Sequence, residues 1–209
     1  MLIPMKRKME KPYFRREPRQ RRAHHTVEAV LDAVVKILKR EGFAAVTTNR
    51  VAEVAGVSIG SVYQYFPDKR AIFVALHERH IQEIDRLVEA TLVEHAASPL
   101  DTLMRAMIEA MIDAHASDPK LYELLLTEVP HRTEGTRDFA GRLHGAFRLA
   151  IAARAHELKP HRNLDTVVFI VTQMVDALSH GAVLHRPSHL SLAAAREEAV
   201  RAILAYLRG

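Results

Sequence analysis

Apolar residues fall at helical spacing, i, i+3, i+4, along one segment of this chain after another, and that pattern lays out the elements. Val27, Val30, Leu31, Val34 and Leu38 mark one face of a helix over residues 26–41. Lys39 and Arg40 suit the negative end of its dipole. Gly42 fits a left-handed C′ position, with Phe43 placed to touch Leu38 beyond it. Two short helices follow, residues 49–55 with Thr48 as N-cap and a second running from Ser58, its cap, to about residue 66. They are joined by Gly56-Val57-Ser58, a turn in which one residue must reach a positive φ. Val51, Ala52, Ala55, Val57, Val62 and Tyr65 are small or apolar at the spacing that lets two helices cross at about 90–120°.

Asp68 then caps a long helix over residues 69 to about 97, with Phe73, Leu76, His80, Ile84, Leu87 and Thr91 in one stripe. Ser98 as cap and Pro99 at N1 open residues 100–117, where Leu103, Met104, Met107, Ile108 and Met111 share a face. Asp118-Pro119 starts residues 120–129, contributing Tyr122, Leu125 and Leu126 and ended by Pro130. Residues 134–158 carry Phe139, Leu143, Phe147 and Ile151 inward. Residues 164–184 are apolar almost all round, and residues 191–207 follow with Ala199, Ala202, Ile203 and Tyr206. The fold class is all-α, with about nine helices: a three-helix helix-turn-helix head and a C-terminal helical bundle. The expected domains are a basic arm over 1–22, the head over 23–70 and the body over 71–209.

What the head leaves exposed points to its use. Ile59, Ser61, Tyr63 and Gln64 cannot all face the core, and residues 58–66 contain no acid. Such a helix suits the major groove of B-DNA: Gln pairs with an adenine edge, Ser takes either partner, and an aliphatic side chain meets the thymine methyl. Thr48, Tyr65 and Lys69 sit at helix ends, where hydroxyls and an ammonium reach phosphates. Asn49, Arg50, Ser58 and Gly60 complete the expected DNA-contacting set. A hairpin that merely packs would not need an acid-free outer face. The long helix after it would act as a mechanical link, a tilt at its far end moving the reading head.

The stretch AGVSIGSVYQYFPDK, with GFAAVTT upstream, resembles the DNA-binding domain of the TetR family of transcriptional repressors. The match is close over about residues 26–74 and beyond them is one of length and helical pattern. Ile59 stands where the family usually has a polar or basic residue, so base preference is not carried across there. The resemblance implies an all-helical homodimer whose larger C-terminal domain binds a small molecule that releases it from a DNA operator.

Composition narrows the alternatives. At 209 residues and 48% hydrophobic the chain can bury a substantial core, and it has no cysteine, so disulfides and thiolate metal sites are excluded. Residues 1–22 hold nine basic residues against Glu10 and Glu17, a net +7, which leaves −2 for the rest of a chain of net +5. Pro4, Pro12 and Pro18 argue against a continuous helix in this arm, which is read as mostly disordered. Three readings remain open for it: a salt-sensitive DNA contact, a solubilising leader, or an upstream start codon ahead of a true start at Met5 or Met9. Unbroken apolar runs such as Val167 to Val171 are far short of a membrane span, and a cytoplasmic protein with no membrane partner is expected.

In the body, Met104, Met107 and Met111 serve either as gap-filling core or as an adaptable pocket for a small apolar effector, together with Tyr122, Phe147, Gln173 and Met174. A helix apolar on every side needs neighbours on every side, so the last two helices are expected to pair with their symmetry mates through Val171, Val175, Leu178, Ala199, Ile203 and Tyr206. Asp176 and His180 are assigned to that interface and Gln173 to the pocket. HERH places His77 and His80 at i, i+3, the wrong spacing for a metalloprotease helix, and no metal or cofactor is expected. No phosphate loop or nucleophile elbow is present and no catalytic residue is assigned. The function these readings converge on is a ligand-responsive repressor, two heads docking in successive major grooves of a palindromic operator about 34–36 Å apart. The alternatives are a DNA-binding regulator with a filled core and no effector, and an enzyme with a vestigial head, which would need mutually close catalytic groups.

Overall fold

The computed structural model describes residues 21–129, 134–158 and 163–208, and the basic arm lies almost wholly outside them. Among the described residues there are nine α-helices and no strand. The chain divides into two compact units, the boundary falling between Leu76 and His77, six residues past the expected one and inside the fourth helix.

The first unit holds α1 (Arg21–Glu41), α2 (Thr48–Ala55), α3 (Ile59–Tyr65) and the start of α4 (Lys69–Glu94). Val30, Val34, Ile37, Val46, Val51, Val62, Phe66 and Ile72 are fully buried between them. α1 starts earlier than its apolar stripe because Thr26 does not cap it: the hydroxyl donates back to the Arg22 carbonyl at 3.1 Å, within the helix. Gly42 ends α1 at φ 83°, and its N–H reaches back to the Ile37 carbonyl at 3.2 Å. The Phe43 ring meets Phe73, centroids 6.1 Å apart. The cap of α2 is Thr47, one residue before the expected Thr48: extended backbone at Thr47 lets its Oγ1 accept the Arg50 N–H at 3.2 Å, while Thr48 is already helical. Gly56 is left-handed at φ 67°, and a Cβ there would meet nothing within 4 Å. The turn therefore selects glycine by backbone angle alone. Ser58 caps α3 as expected, accepting the Ser61 N–H at 3.0 Å.

The second unit comprises the rest of α4, α5 (Leu100–Ala116), α6 (Pro119–Glu128), α7 (Glu134–Ala152), α8 (Leu164–His180) and α9 (Leu192–Arg208). α5 packs against both α8 and α9, and α7 against α8. The core between them is apolar, built on Leu103, Met104, Met107, Ile108, Phe147, Ile151, Val168, Val171, Val175, Val200 and Ile203. Asp118 and Asn163 cap α6 and α8, accepting the Leu121 and Thr166 N–H groups. Leu124, rather than the expected Leu126, is buried beside Leu125 on α6. Leu164–His185 is, among the described residues, the segment long and apolar enough by composition to cross a membrane, at mean hydropathy 1.6. Its Val167, Val168, Val171 and Val175 are buried in the bundle core.

Three ends in this unit differ from expectation. Pro99 occupies the N-cap of α5, not N1, and Ser98 does not cap, because the Leu100 N–H is taken by Glu157 Oε2 at 2.9 Å. α7 stops at Ala152, six residues early, where the buried Arg154 turns its guanidinium onto the carbonyls of His95, Ala96, Ser98 and Ala150 at 2.7–3.1 Å. One side chain thus ties the end of α7 to the corner where α4 gives way to α5, donating to the Ala96 and Ser98 carbonyls there and sharing that of His95 with the Ser98 N–H. α8 ends at His180 in a π-helical turn, Gly181–His185, instead of continuing.

A candidate DNA-binding face and a buried ring cluster

On α3 the register set by the Ser58 cap and the Gly56 turn sends Val62 and Tyr65 inward and leaves Ile59, Gly60, Tyr63 and Gln64 exposed, with Ser61 half-buried. Ile59 and Tyr63 keep 38% and 41% of their surface, a large share for apolar bodies on a seven-residue helix. The Tyr63 and Thr48 hydroxyls lie 3.2 Å apart, tying the outer face of α3 to the start of α2. The Ser61 and Ser58 hydroxyls are 2.8 Å apart. Asn49 is exposed. Tyr65, expected both to face inward and to reach phosphate, is 8% exposed. The Lys69 ammonium sits 4.6 Å from the Phe43 ring centroid and 5.5 Å from that of Phe73, a cation held at the rim by two aromatic faces. Arg50 is engaged by carboxylates: Nη2 donates to Glu41 at 2.7 Å and Nη1 lies 2.8 Å from Glu53.

The second unit gathers polar groups that the sequence kept apart. His80 on α4, His115 on α5, Tyr122 on α6, and Asp176 and His180 on α8 converge. His115 stacks on Tyr122 with centroids 4.0 Å apart and planes 8° from parallel. His80 Nε2 and His115 Nδ1 are 3.4 Å apart. His180 Nε2 faces both the Tyr122 hydroxyl at 2.8 Å and the Asp176 carboxylate at 3.2 Å. A carboxylate only accepts, so this Nε2 carries the proton and donates, and the phenolic proton of Tyr122 stays uncommitted. Burial pushes His80 down to about 4, helped by His77. Burial, then His80 and His180, push His115 down to about 3 against the opposing pull of Asp176. Both imidazoles are neutral near pH 7. Burial raises the Tyr122 phenol, and the His180 hydrogen bond lowers the Asp176 carboxyl. In sequence His80 is one of a histidine pair without metal spacing, and Asp176 and His180 are expected at a partner chain. The neighbours that explain all three lie on other helices, from His80 to His115 across 35 residues and from Tyr122 to His180 across 58. No group of three or more metal-ligating residues in coordinating geometry occurs among the described residues.

The other expected body residues divide sharply. Met104, Met107, Met111 and Phe147 are closed within the apolar core, Met174 is half-buried against it, and Gln173 points outward on α8. Val171, Val175, Ala199 and Ile203 are buried inside their own protomer, because α8 and α9 pack on each other and on α5, while Leu178 and Tyr206 are half-buried. Outward positions include Phe169, at 55% exposure, Gln173, Asp176 and Ala177 on α8, and Ala202 and Ala205 on α9.

Known proteins resemble both units. The model for bacterial regulatory proteins of the tetR family matches residues 30–76, and that for the tetracyclin repressor-like C-terminal domain matches residues 99–207. The nucleoid occlusion factor SlmA of Haemophilus ducreyi is 31% identical over 99 residues, covering 47% of this chain and 48% of that protein. The chain thus spans about half the length of the curated relatives of this kind. SmeT, the repressor of the Stenotrophomonas maltophilia multidrug efflux pump SmeDEF, superposes with a TM-score of 0.64 at 22% identity over 87% of this chain and 91% of its own. The regulator FadR of Bacillus subtilis in complex with stearoyl-CoA gives 0.63 at 16%, over 86% and 98%. At such identities the structures share a fold. With one family model covering more than half the chain and another its helix-turn-helix, the protein belongs to the TetR family of transcriptional regulators.

Proposed function

We propose that this protein is a cytoplasmic repressor that holds a palindromic operator as a homodimer and lets go when a small, largely apolar effector binds its second unit. The observation that carries the DNA half is the outer face of α3: exposed Ile59, Tyr63 and Gln64, capped rigidly by Ser58, with no acid in residues 58–66. Gln64 and Ser61 read base edges, Ile59 meets a thymine methyl, and the Thr48–Tyr63 hydroxyl pair and Lys69 rest on phosphates. A second copy docks on Phe169, Gln173 and Ala177 of α8 beside Ala202 and Ala205 of α9, since the more apolar positions are already spent on the protomer's own core. The effector is read at the ring cluster, where Tyr122 offers a donor and the neutral His80 and His115 supply flat apolar faces. An effector with an acceptor on an apolar body fits that chemistry, and it acts only through a difference in affinity between DNA-bound and free forms.

The closed methionine core favours a second reading, a family member that binds DNA without an effector. Binding-site selection on random duplexes tests the first half: a two-half-site palindrome should be enriched, and an unselected pool after several rounds would end the regulator reading. A screen of neutral apolar acceptors against the selected operator then separates the two. Release by a compound that Tyr122→Phe no longer answers supports the effector, and operator affinity unmoved throughout supports the second reading.

A further inference from the structure

Arg50 sits at the corner between α1 and α2, and its guanidinium is occupied on three nitrogens. Nε donates to Glu41 Oε2 at 3.0 Å and Nη2 to Glu41 Oε1 at 2.7 Å, a two-pronged fork. Nη1 lies 2.8 Å from Glu53 Oε2, one turn along α2. The Arg50 backbone N–H is the one that Thr47 caps. Glu41 is the last residue of α1 and Arg50 lies in the first turn of α2, so the fork closes a connection made of Gly42 at φ 83° and a 3-10 turn over Phe43–Ala45. The rest of what holds that connection is backbone and ring contacts: the Gly42 N–H on the Ile37 carbonyl, the Phe43 ring against Phe73 and Lys69, and Val46 as its fully buried side chain, so the fork is the polar side-chain tie from the end of α1 to the first turn of α2.

Charge argues against a direct role on DNA. One guanidinium is answered by two carboxylates, so the trio carries a net −1, and a phosphate approaching Arg50 meets both acids within 3 Å of it. The same corner carries what DNA would touch. Thr48 and Asn49 precede Arg50 directly, and Thr48 holds the Tyr63 hydroxyl of α3 at 3.2 Å. A shift of the α2 start would move all three. The fork also holds the Glu41 carboxyl below its usual range, chiefly through the hydrogen bond from Arg50.

We propose that Arg50, forked onto Glu41 and braced by Glu53, is a positioning residue that fixes the start of α2 for DNA binding and is not itself a phosphate contact. This rests on the DNA-binding reading above. An isolated exposed ion pair contributes little, whereas a bidentate arginine fork in a three-residue network holds a geometry that lysine cannot reproduce.

The test measures operator affinity of the full chain across a salt series for Glu41→Gln, Arg50→Ala and Arg50→Lys. All three should weaken binding about three- to tenfold with the slope of log K against log salt unchanged, lysine failing despite its charge. A phosphate-contacting Arg50 gives the opposite signs: Glu41→Gln tightens binding by freeing the cation, and Arg50→Ala flattens the slope by about one. Either result overturns the proposal. Amide exchange of residues 48–51, followed without DNA, should accelerate in Glu41→Gln and Arg50→Ala; wild-type protection there also overturns it. If the wild-type chain binds no duplex, the regulator reading falls, and the exchange measurement still decides whether the fork braces the corner.

Discussion

The two units place their polar chemistry in opposite ways. In the first, the core is apolar and every group expected to read DNA except Tyr65 lies on or near the surface, anchored by caps and hydroxyl pairs within about fifteen residues of sequence. In the second, the outer helices present alanines, charges and Phe169, while the buried His115 and Tyr122 meet the half-buried His80 and His180 among four helices, with the exposed Asp176 carboxylate at the outer edge of the group. A surface site can be built locally on one short helix. An interior polar site needs every element in place, and its groups must satisfy one another or be costly.

This contrast is broken most forcefully in the core of the second unit. Phe147→Ala empties a fully buried ring position and should cost about 3–5 kcal/mol in denaturant unfolding, while the base preference of the folded fraction stays as it was. A changed preference at constant folded fraction would show that the two kinds of site are not separable. Next, Gln64→Ala should relax preference at one position per half-site by about 1–3 kcal/mol and leave the unfolding midpoint in place. An unchanged selection profile removes Gln64 from the reading set.

Acid separates the units more gently. His80 and His115 are bases whose folded pKa lies below the unfolded value near 6.5, so the native state refuses protons that the unfolded chain accepts. Above that value they have no effect on stability. As pH falls toward their folded values of about 4 and 3, stability should drop by up to about 1.4 kcal/mol per pH unit for each group. His115→Phe keeps a ring on Tyr122 and removes one titrating group, so urea midpoints between pH 6 and 5 should fall about half as steeply. Parallel lines for variant and wild type would discard the cluster as the acid-sensitive element. The smallest effect concerns assembly: Phe169→Arg should weaken the proposed dimer in sedimentation and lower the unfolding midpoint only at protein concentrations where that dimer forms, since in the protomer the side chain is already 55% exposed.

How much of this could be read from residue order follows the same division. The head was legible because helix-turn-helix chemistry is short-range: Gly56 at its left-handed angle, Ser58 at the cap and Val62 inward are fixed by neighbours a few positions away. Thr47 and Thr48 are adjacent and chemically alike, so only backbone conformation says which caps. In the body, helix count and inward stripes were legible from periodicity. What failed was deciding which apolar face meets what. Val171, Val175, Ala199 and Ile203 look the same in sequence whether they meet a partner chain or their own neighbours, and the packing of α5 between α8 and α9 settles it. The ring cluster was invisible because its members are lone residues on separate helices.

Arg154 carries a consequence for how the chain is made. The corner between α4 and α5 is finished by a guanidinium 56 to 59 residues downstream of the carbonyls it binds. On a ribosome delivering the N-terminal side first, that corner emerges long before its fastener exists. The Ala96 and Ser98 carbonyls gain this donor only once the chain beyond α7 has been synthesised, so the corner is fastened late.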